Sequence, residues 1–262
     1  MNPRWEGNPV PEFIDLSAPI VASPTDTPDL LRTEIAFHGH DEGAETIRQM
    51  FGVEASLLRD GEGWAVEEVL RFGTHNSTHV DAPWHYNSET GGKPSQTIDQ
   101  LPLEWFHAPG VRLDFTSHED GDAITADQVR SALQAVDHEL KPLDIVLVHT
   151  GRDEFLDADD YMIRGPGVTA ETTHWMYEQG VRVMGIDAWG WDRPLHLQAA
   201  EAVERNESGI FWAAHQADLA YSQIERLANL SALPATGFTL ACFPLRLVGG
   251  SAAPARVVGI VD

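Results

Sequence analysis

The sequence predicts an α/β fold with a mixed β-sheet and flanking helices, one domain over residues 36–262 behind an N-terminal arm of residues 1–35. Three observations predict it. Asp144-Ile-Val-Leu-Val-His149 is a compact apolar run of strand length, the pattern of a strand buried on both faces of a sheet. A helical stretch from about Thr169 to Gln179 and a second apolar run, Val181 to Asp187, follow it and complete a strand–helix–strand unit. Late runs at Phe238 to Phe243 and Val257 to Val261 add further strands, with Pro244 and Gly249-Gly250 punctuating the turn between them.

In chain order, the arm carries Pro3, Pro9, Pro11, Pro19, Pro24 and Pro28, which leave room for one short strand at Phe13-Ile14-Asp15-Leu16. Val111, Leu113 and Phe115 alternate as a half-buried strand does. Thr125-Ala126-Asp127-Gln128 has the form of a capping box and opens a helix expected to end near Pro142. Gly180 stops the next helix. No repeat, low-complexity tract or linker divides the chain.

Composition narrows the function. Against 17 Lys+Arg stand 41 Asp+Glu, a formal net charge of −24. Phosphate backbones and anionic lipid are bound by clustered Lys and Arg, and no basic patch exists here, so neither nucleic acid nor a membrane surface is an expected partner. The single cysteine, Cys242, excludes an internal disulfide and a Cys-based zinc site. It suits a reducing compartment. The first residues lack the apolar core of a signal peptide, and no window approaches the roughly eighteen apolar residues of a membrane span. The expected address is the cytoplasm.

Chemistry concentrates in one segment, Thr74-His75-Asn76-Ser77-Thr78-His79-Val80-Asp81-Ala82-Pro83-Trp84-His85. Pro83 opposes a helix interior and Thr78 and Val80 favour extended backbone, so this segment reads as strand or loop. In a straight strand, residues four apart are roughly 13 Å apart, so His75 and His79 share one ion readily only across a bend, for which Asn76-Ser77 is the natural place. His79 and Asp81 share a face without one. Two imidazoles and a carboxylate leave positions open on a divalent ion, the layout of a catalytic site. His85, a little further along, is placed as a general base. Each histidine alone reads as an ordinary packed or surface residue; the H-x3-H-x-D-x3-H spacing is hard to explain by packing, because four polar groups would be ordered side by side without reward.

The segment resembles the HxGTHxDxPxH motif of the metal-dependent cyclase family, the group of kynurenine formamidase and isatin hydrolase. Every specified position matches except Ser77, which stands where the family has Gly. A second patch, His215 through Glu225, Arg226-Leu-Ala-Asn-Leu230 and Leu233-Pro234, resembles the family's H…IEKLxNLxxLP segment, with ten residues from His215 to Glu225. Gly185-Ile-Asp-Ala-Trp189, Gly237-Phe238, Cys242-Phe243-Pro244-Leu245 and Gly250-Ser251-Ala252 extend the resemblance from about residue 65 to the end of the sequence.

The resemblance implies a swivelling β/β/α-type fold. It implies His75, His79 and Asp81 as ligands of a divalent Mn2+ or Zn2+, with Glu225 and His215 completing a site of one or two ions, Gln223 as a competing ligand, and His85 as the proton-transfer residue. It also implies a homodimer or homotetramer. A divalent ion lowers the pKa of water from about 15.7 toward about 7, which supplies a nucleophile at neutral pH. His85 suits the transfer of a proton to a leaving nitrogen, because a free imidazole has a pKa of about 6.5.

The expected activity is hydrolysis of a carbon–nitrogen bond in an amide, formamide or lactam of a small aromatic molecule. The alternatives are lactone hydrolysis or a cyclisation or dehydration step, and a non-catalytic metal-binding or small-molecule-binding protein. Eight tryptophans are many for this length. Most are expected in the core, with Trp64, Trp84 and Trp212 as candidate pocket walls for a flat substrate. Arg152 is expected to pair with one of the many acids in preference to binding a substrate carboxylate.

Overall fold

A computed structural model describes residues 10–29 and 31–261. Along it run strands β1 (Glu12–Asp15), β2 (Glu34–His38), β3 (Val66–Arg71), β4 (His79–Asp81), β5 (Glu89–Thr90), β6 (Lys93–Pro94), β7 (His107–Asp114), β8 (Ala123–Ile124), β9 (Ile145–His149), β10 (Gly167–Val168), β11 (Val183–Ile186), β12 (Ser222–Glu225), β13 (Phe238–Ala241), β14 (Ala252–Pro254) and β15 (Val258–Val261). The helices are α1 (His40–Phe51), α2 (Pro83–Tyr86), α3 (Ala126–Ala135), α4 (Ala170–Glu178) and α5 (Leu195–Arg205).

The expected mixed sheet is present. Nine strands pair in the order β1-β15-β13-β7-β9-β11-β12-β4-β14. The centre, β7-β9-β11-β12, is parallel, and both flanks are antiparallel. Every residue of β9 and of β11 is buried. Their side chains alternate between two apolar clusters: Ile145, Leu147 and Val183 join one, Val146, Val148, Met184 and Ile186 the other. That is why these strands read as continuous apolar runs, since successive side chains of a strand point to opposite faces and here both faces are covered. The β7–β13 register sets Gly110 opposite Phe238, where a Cβ would lie 2.2 Å from the ring.

α3 opens as the capping box requires: the Thr125 hydroxyl accepts from the Gln128 N–H, and the Gln128 side chain accepts from the Thr125 N–H at 2.8 Å. It closes at Ala135, well short of Pro142. Asp137 takes a left-handed backbone (φ 50°), the His138 N–H turns back to the Leu133 carbonyl at 3.0 Å, and residues 136–143 lead as a loop into β9. α4 starts on the Thr169 hydroxyl and stops before Gly180 (φ 95°) as expected. The strand expected in the arm is β1, paired with β15. Residues 1–9 lie outside the described residues.

Contacts divide the described chain into two compact units, residues 10–19 with 77–261, and residues 20–76. The first holds the nine-stranded sheet. The second is the antiparallel pair β2–β3 with α1 between them in sequence, ended by a left-handed Gly52 (φ 66°) whose N–H reaches the Arg48 carbonyl. The arm expected over residues 1–35 therefore contributes to both units. No helix among the described residues is long and apolar enough to cross a membrane.

Candidate metal centre

The site of the larger unit is built where β4 meets β12. These strands are antiparallel in a register that sets Glu225 opposite His79 and Ile224 opposite Val80. Both are wholly buried, so β4 presents His79 and Asp81 on one face while Val80 enters the apolar core. The turn before β4 is made by Ser77 with φ 57°, a conformation that Gly adopts without cost. Its hydroxyl donates to the Ala18 carbonyl at 2.9 Å, which secures the turn.

Carboxylates and imidazoles converge here. His79 Nε2 lies 3.3 Å from Asp81 Oδ1 and 3.6 Å from Glu225 Oε2. His215 Nε2 lies 3.3 Å from Glu225 Oε1 and 4.0 Å from Asp81 Oδ2. Each imidazole is held from behind at Nδ1, His79 by the Ser77 carbonyl at 3.0 Å and His215 by Asp192 Oδ2 at 2.6 Å. That arrangement turns both Nε2 atoms toward the shared carboxylates, as in sites where an outer partner fixes the ring of a metal-ligating histidine. Glu225 Oε1 also accepts the Trp191 N–H at 2.9 Å.

His85 stands on α2, a single turn begun by Pro83 at its first position, where a missing N–H costs nothing. One ligand atom each of Asp81, His85 and His215 lies within 4.8 Å of the others. His85 is thus near enough to serve either as a ligand or as a proton carrier. Trp212 stacks on His215 (4.5 Å, 23°) and meets His85 edge-on at 5.0 Å. Trp84 lies beside His85 in sequence, 45 % exposed. Trp64 belongs to the smaller unit and packs edge-on against Phe51 at 6.2 Å. His75 also belongs to that unit, on a turn closed by the Asn76 N–H to the Gly73 carbonyl.

The charges are arranged to hold a cation. Burial alone would depress the His215 pKa, yet hydrogen bonds to Asp192 and Glu225 and their charges overcome it and carry the imidazole up to about 10. Burial likewise opposes, and Asp81 and then Glu225 reverse, the shift of His79, which is upward. Burial pushes Glu225 up, but the hydrogen bond from His215 wins and holds its carboxyl below the usual range. Buried carboxylates that draw positive charge onto two imidazoles, with nitrogen and oxygen donors aimed at one region, fit a divalent metal ion.

Several participants carry no signal in the sequence. Asp192 accepts the Ala214 and His215 N–H groups at 3.0 Å besides holding the imidazole, and it comes from the loop after β11. Tyr86 and Tyr221 wall the region: the Tyr86 hydroxyl accepts the Gln223 N–H, and Tyr221 accepts from the Gln223 side-chain amide. Gln223 Oε1 is buried without a hydrogen-bond partner among the described residues, so this amide oxygen is available as a ligand. Arg152 pairs with Asp120 at 3.0 Å. Asp187, in the Gly185–Trp189 segment, is structural, gathering Thr150 and Gly151 onto the end of β11.

Known proteins agree with this architecture. The family model described as "Putative cyclase" matches residues 14–193. The kynurenine formamidase of Salinibacter ruber is 29 % identical over 191 residues, 72 % of this chain and 77 % of that protein. The isatin hydrolase of Roseibium aggregatum is 27 % identical over 207 residues, 72 % of each. Among solved structures, isatin hydrolase A from Labrenzia aggregata bound to benzyl benzoate superposes with a TM-score of 0.72 at 23 % identity, covering 96 % of this chain and 94 % of that one. A nine-stranded mixed sheet of the same fold, relatives of these kinds and a model match over most of the length place the chain in the cyclase family.

Proposed function

We propose that the protein is a metal-dependent hydrolase that cleaves a carbon–nitrogen bond of an amide, formamide or lactam in a small aromatic substrate. The observation that supports it is the turning of His79 and His215 Nε2 toward the carboxylates of Asp81 and Glu225, with His85 alongside. His79, Asp81, His215 and Glu225 would hold the ion, joined by His75 on the strength of the H-x3-H-x-D motif. When bound, Mn2+ or Zn2+ polarises a carbonyl and lowers the pKa of water.

The chain's own residues do the rest. His85 takes a proton from the attacking water and returns it to the departing nitrogen, a task suited to an imidazole within reach of the same region. The Trp212 ring, stacked on His215, offers a flat apolar wall for an aromatic substrate. Tyr86 and Tyr221, buried and with hydroxyl pKa values pushed well above the ordinary by burial, stay neutral and exclude water. The relatives named kynurenine formamidase and isatin hydrolase favour amide-like bonds.

Elemental analysis of the purified protein, then a screen of N-formyl aromatic amines, cyclic amides and lactones with each ion restored, tests the reading. Absence of stoichiometric metal, or of turnover on every amide, removes it. H85A separates the two roles of His85. Turnover lost with metal retained supports proton transfer; metal lost with it makes His85 a ligand. Assembly as a homodimer or homotetramer, implied by the family resemblance, is read by light scattering.

A further inference from the structure

Arg226 directly follows Glu225 and is the next residue after β12. Its backbone is pinned on both sides, the N–H donating to the Ala188 carbonyl at 3.1 Å and the carbonyl accepting the Thr78 hydroxyl at 2.5 Å. It takes a left-handed conformation (φ 58°), uncommon for a long side chain. The guanidinium lies over the Trp189 ring, 3.5 Å from its centroid. Two positions on, the Trp191 N–H holds Glu225 Oε1, so one short segment supports both the carboxylate of the candidate metal centre and the cation beside it.

Many arginines of this acidic chain find carboxylates, as Arg152 takes Asp120, Arg193 and Arg205 take Glu201, and Arg256 takes Asp15, while Arg112 and Arg182 donate to carbonyls instead. The Arg226 Nε is buried without a hydrogen-bond partner among the described residues. The Trp189 face covers this cation on one side, and a buried donor left without an acceptor is costly. Arg226 and Trp189 are both partly exposed. A guanidinium backed by an aromatic face is a ready receptor for a planar oxyanion, because its fork of donors matches a carboxylate.

We propose that Arg226 on Trp189 is an anion-binding subsite that receives a carboxylate of the substrate beside the metal centre. The inference rests on the metal reading in one respect: a divalent ion neutralises Asp81 and Glu225, leaving the Arg226 charge for the substrate. The substrate class is then a carboxylate-bearing aromatic amide rather than a neutral one.

The test titrates the full-length, Mn2+-loaded protein with benzoate and with benzamide, its uncharged counterpart, followed by tryptophan fluorescence. Wild type, R226M and R226K are compared, with the Mn2+ content of each measured. Wild type is expected to bind benzoate at least tenfold tighter than benzamide. R226M should lose that preference while keeping its metal, and R226K should keep part of it. Absence of the preference in wild type, or its full survival in either variant, overturns the subsite. Should R226M fail to fold, wild type and R226K still decide. A protein that shows the Arg226-dependent preference but takes up neither Mn2+ nor Zn2+ would uphold the subsite and sink the metal reading alone.

Discussion

Glu225 stands directly across the β4–β12 ladder from His79, and its two oxygens serve two different imidazoles, Oε2 lying 3.6 Å from His79 Nε2 and Oε1 lying 3.3 Å from His215 Nε2. The ladder register therefore decides whether the site exists, since a slip of one residue would turn Glu225 into the core and Ile224 into the site. Glu225→Gln keeps the shape and removes the charge. It is expected to weaken Mn2+ or Zn2+ binding by at least about tenfold, read by calorimetry. Unchanged affinity would take Glu225 out of the ligand set.

Asp192 acts one step further out. It holds His215 Nδ1 at 2.6 Å and accepts two backbone N–H groups. Asp192→Asn preserves acceptor geometry but not charge, and is expected to cost about 10- to 100-fold in metal affinity with little change in unfolding temperature. Asp192→Ala, which also strands the Ala214 and His215 N–H groups, is expected to cost a further ~1–3 kcal/mol of stability in urea unfolding.

Ser77 carries a positive φ of 57° and compensates with its hydroxyl on the Ala18 carbonyl. Ser77→Gly relieves the backbone and loses the bond, so its stability is expected to stay within about 1 kcal/mol of wild type. Ser77→Ala loses the bond and keeps the strain, and is expected to fall below the Gly variant by roughly 1 kcal/mol in urea unfolding. Equal stability of the two variants would show that φ at this position carries no cost.

Cys242 lies wholly buried, and burial pushes its thiol pKa up. The reactive thiolate is scarce in the folded protein. A disulfide reagent such as DTNB at pH 8 is expected to modify the native protein at the rate of opening and the urea-unfolded protein within seconds to minutes. Rapid stoichiometric labelling of the native form would contradict the packing around β13.

Much of the fold was legible because its signals are local. Continuous apolar runs at 145–149 and 183–186 follow from burial on both sheet faces, and the Thr125 and Thr169 caps are contacts over three residues. The end of α3 was misjudged because Asp137 in a left-handed turn, and not the more visible Pro142, closes it. The His79–Asp81 pair was legible too, since alternation along any strand puts residues two apart on one face.

By itself, the sequence determined a mixed α/β architecture, a strongly acidic chain with a formal charge of −24, and a histidine–carboxylate motif of the cyclase kind. Tertiary structure alone decided that Glu225 faces His79, that Asp192 steadies His215, and that Trp212 rather than another tryptophan stacks on that imidazole. It also decided that Arg226 is stacked on Trp189. The reason is range: strand runs and caps are set by neighbours a few residues away, whereas Glu225 and His79, Arg226 and Trp189, and Asp192 and His215 lie 146, 37 and 23 residues apart in sequence and meet only through the order and register in which strands pair.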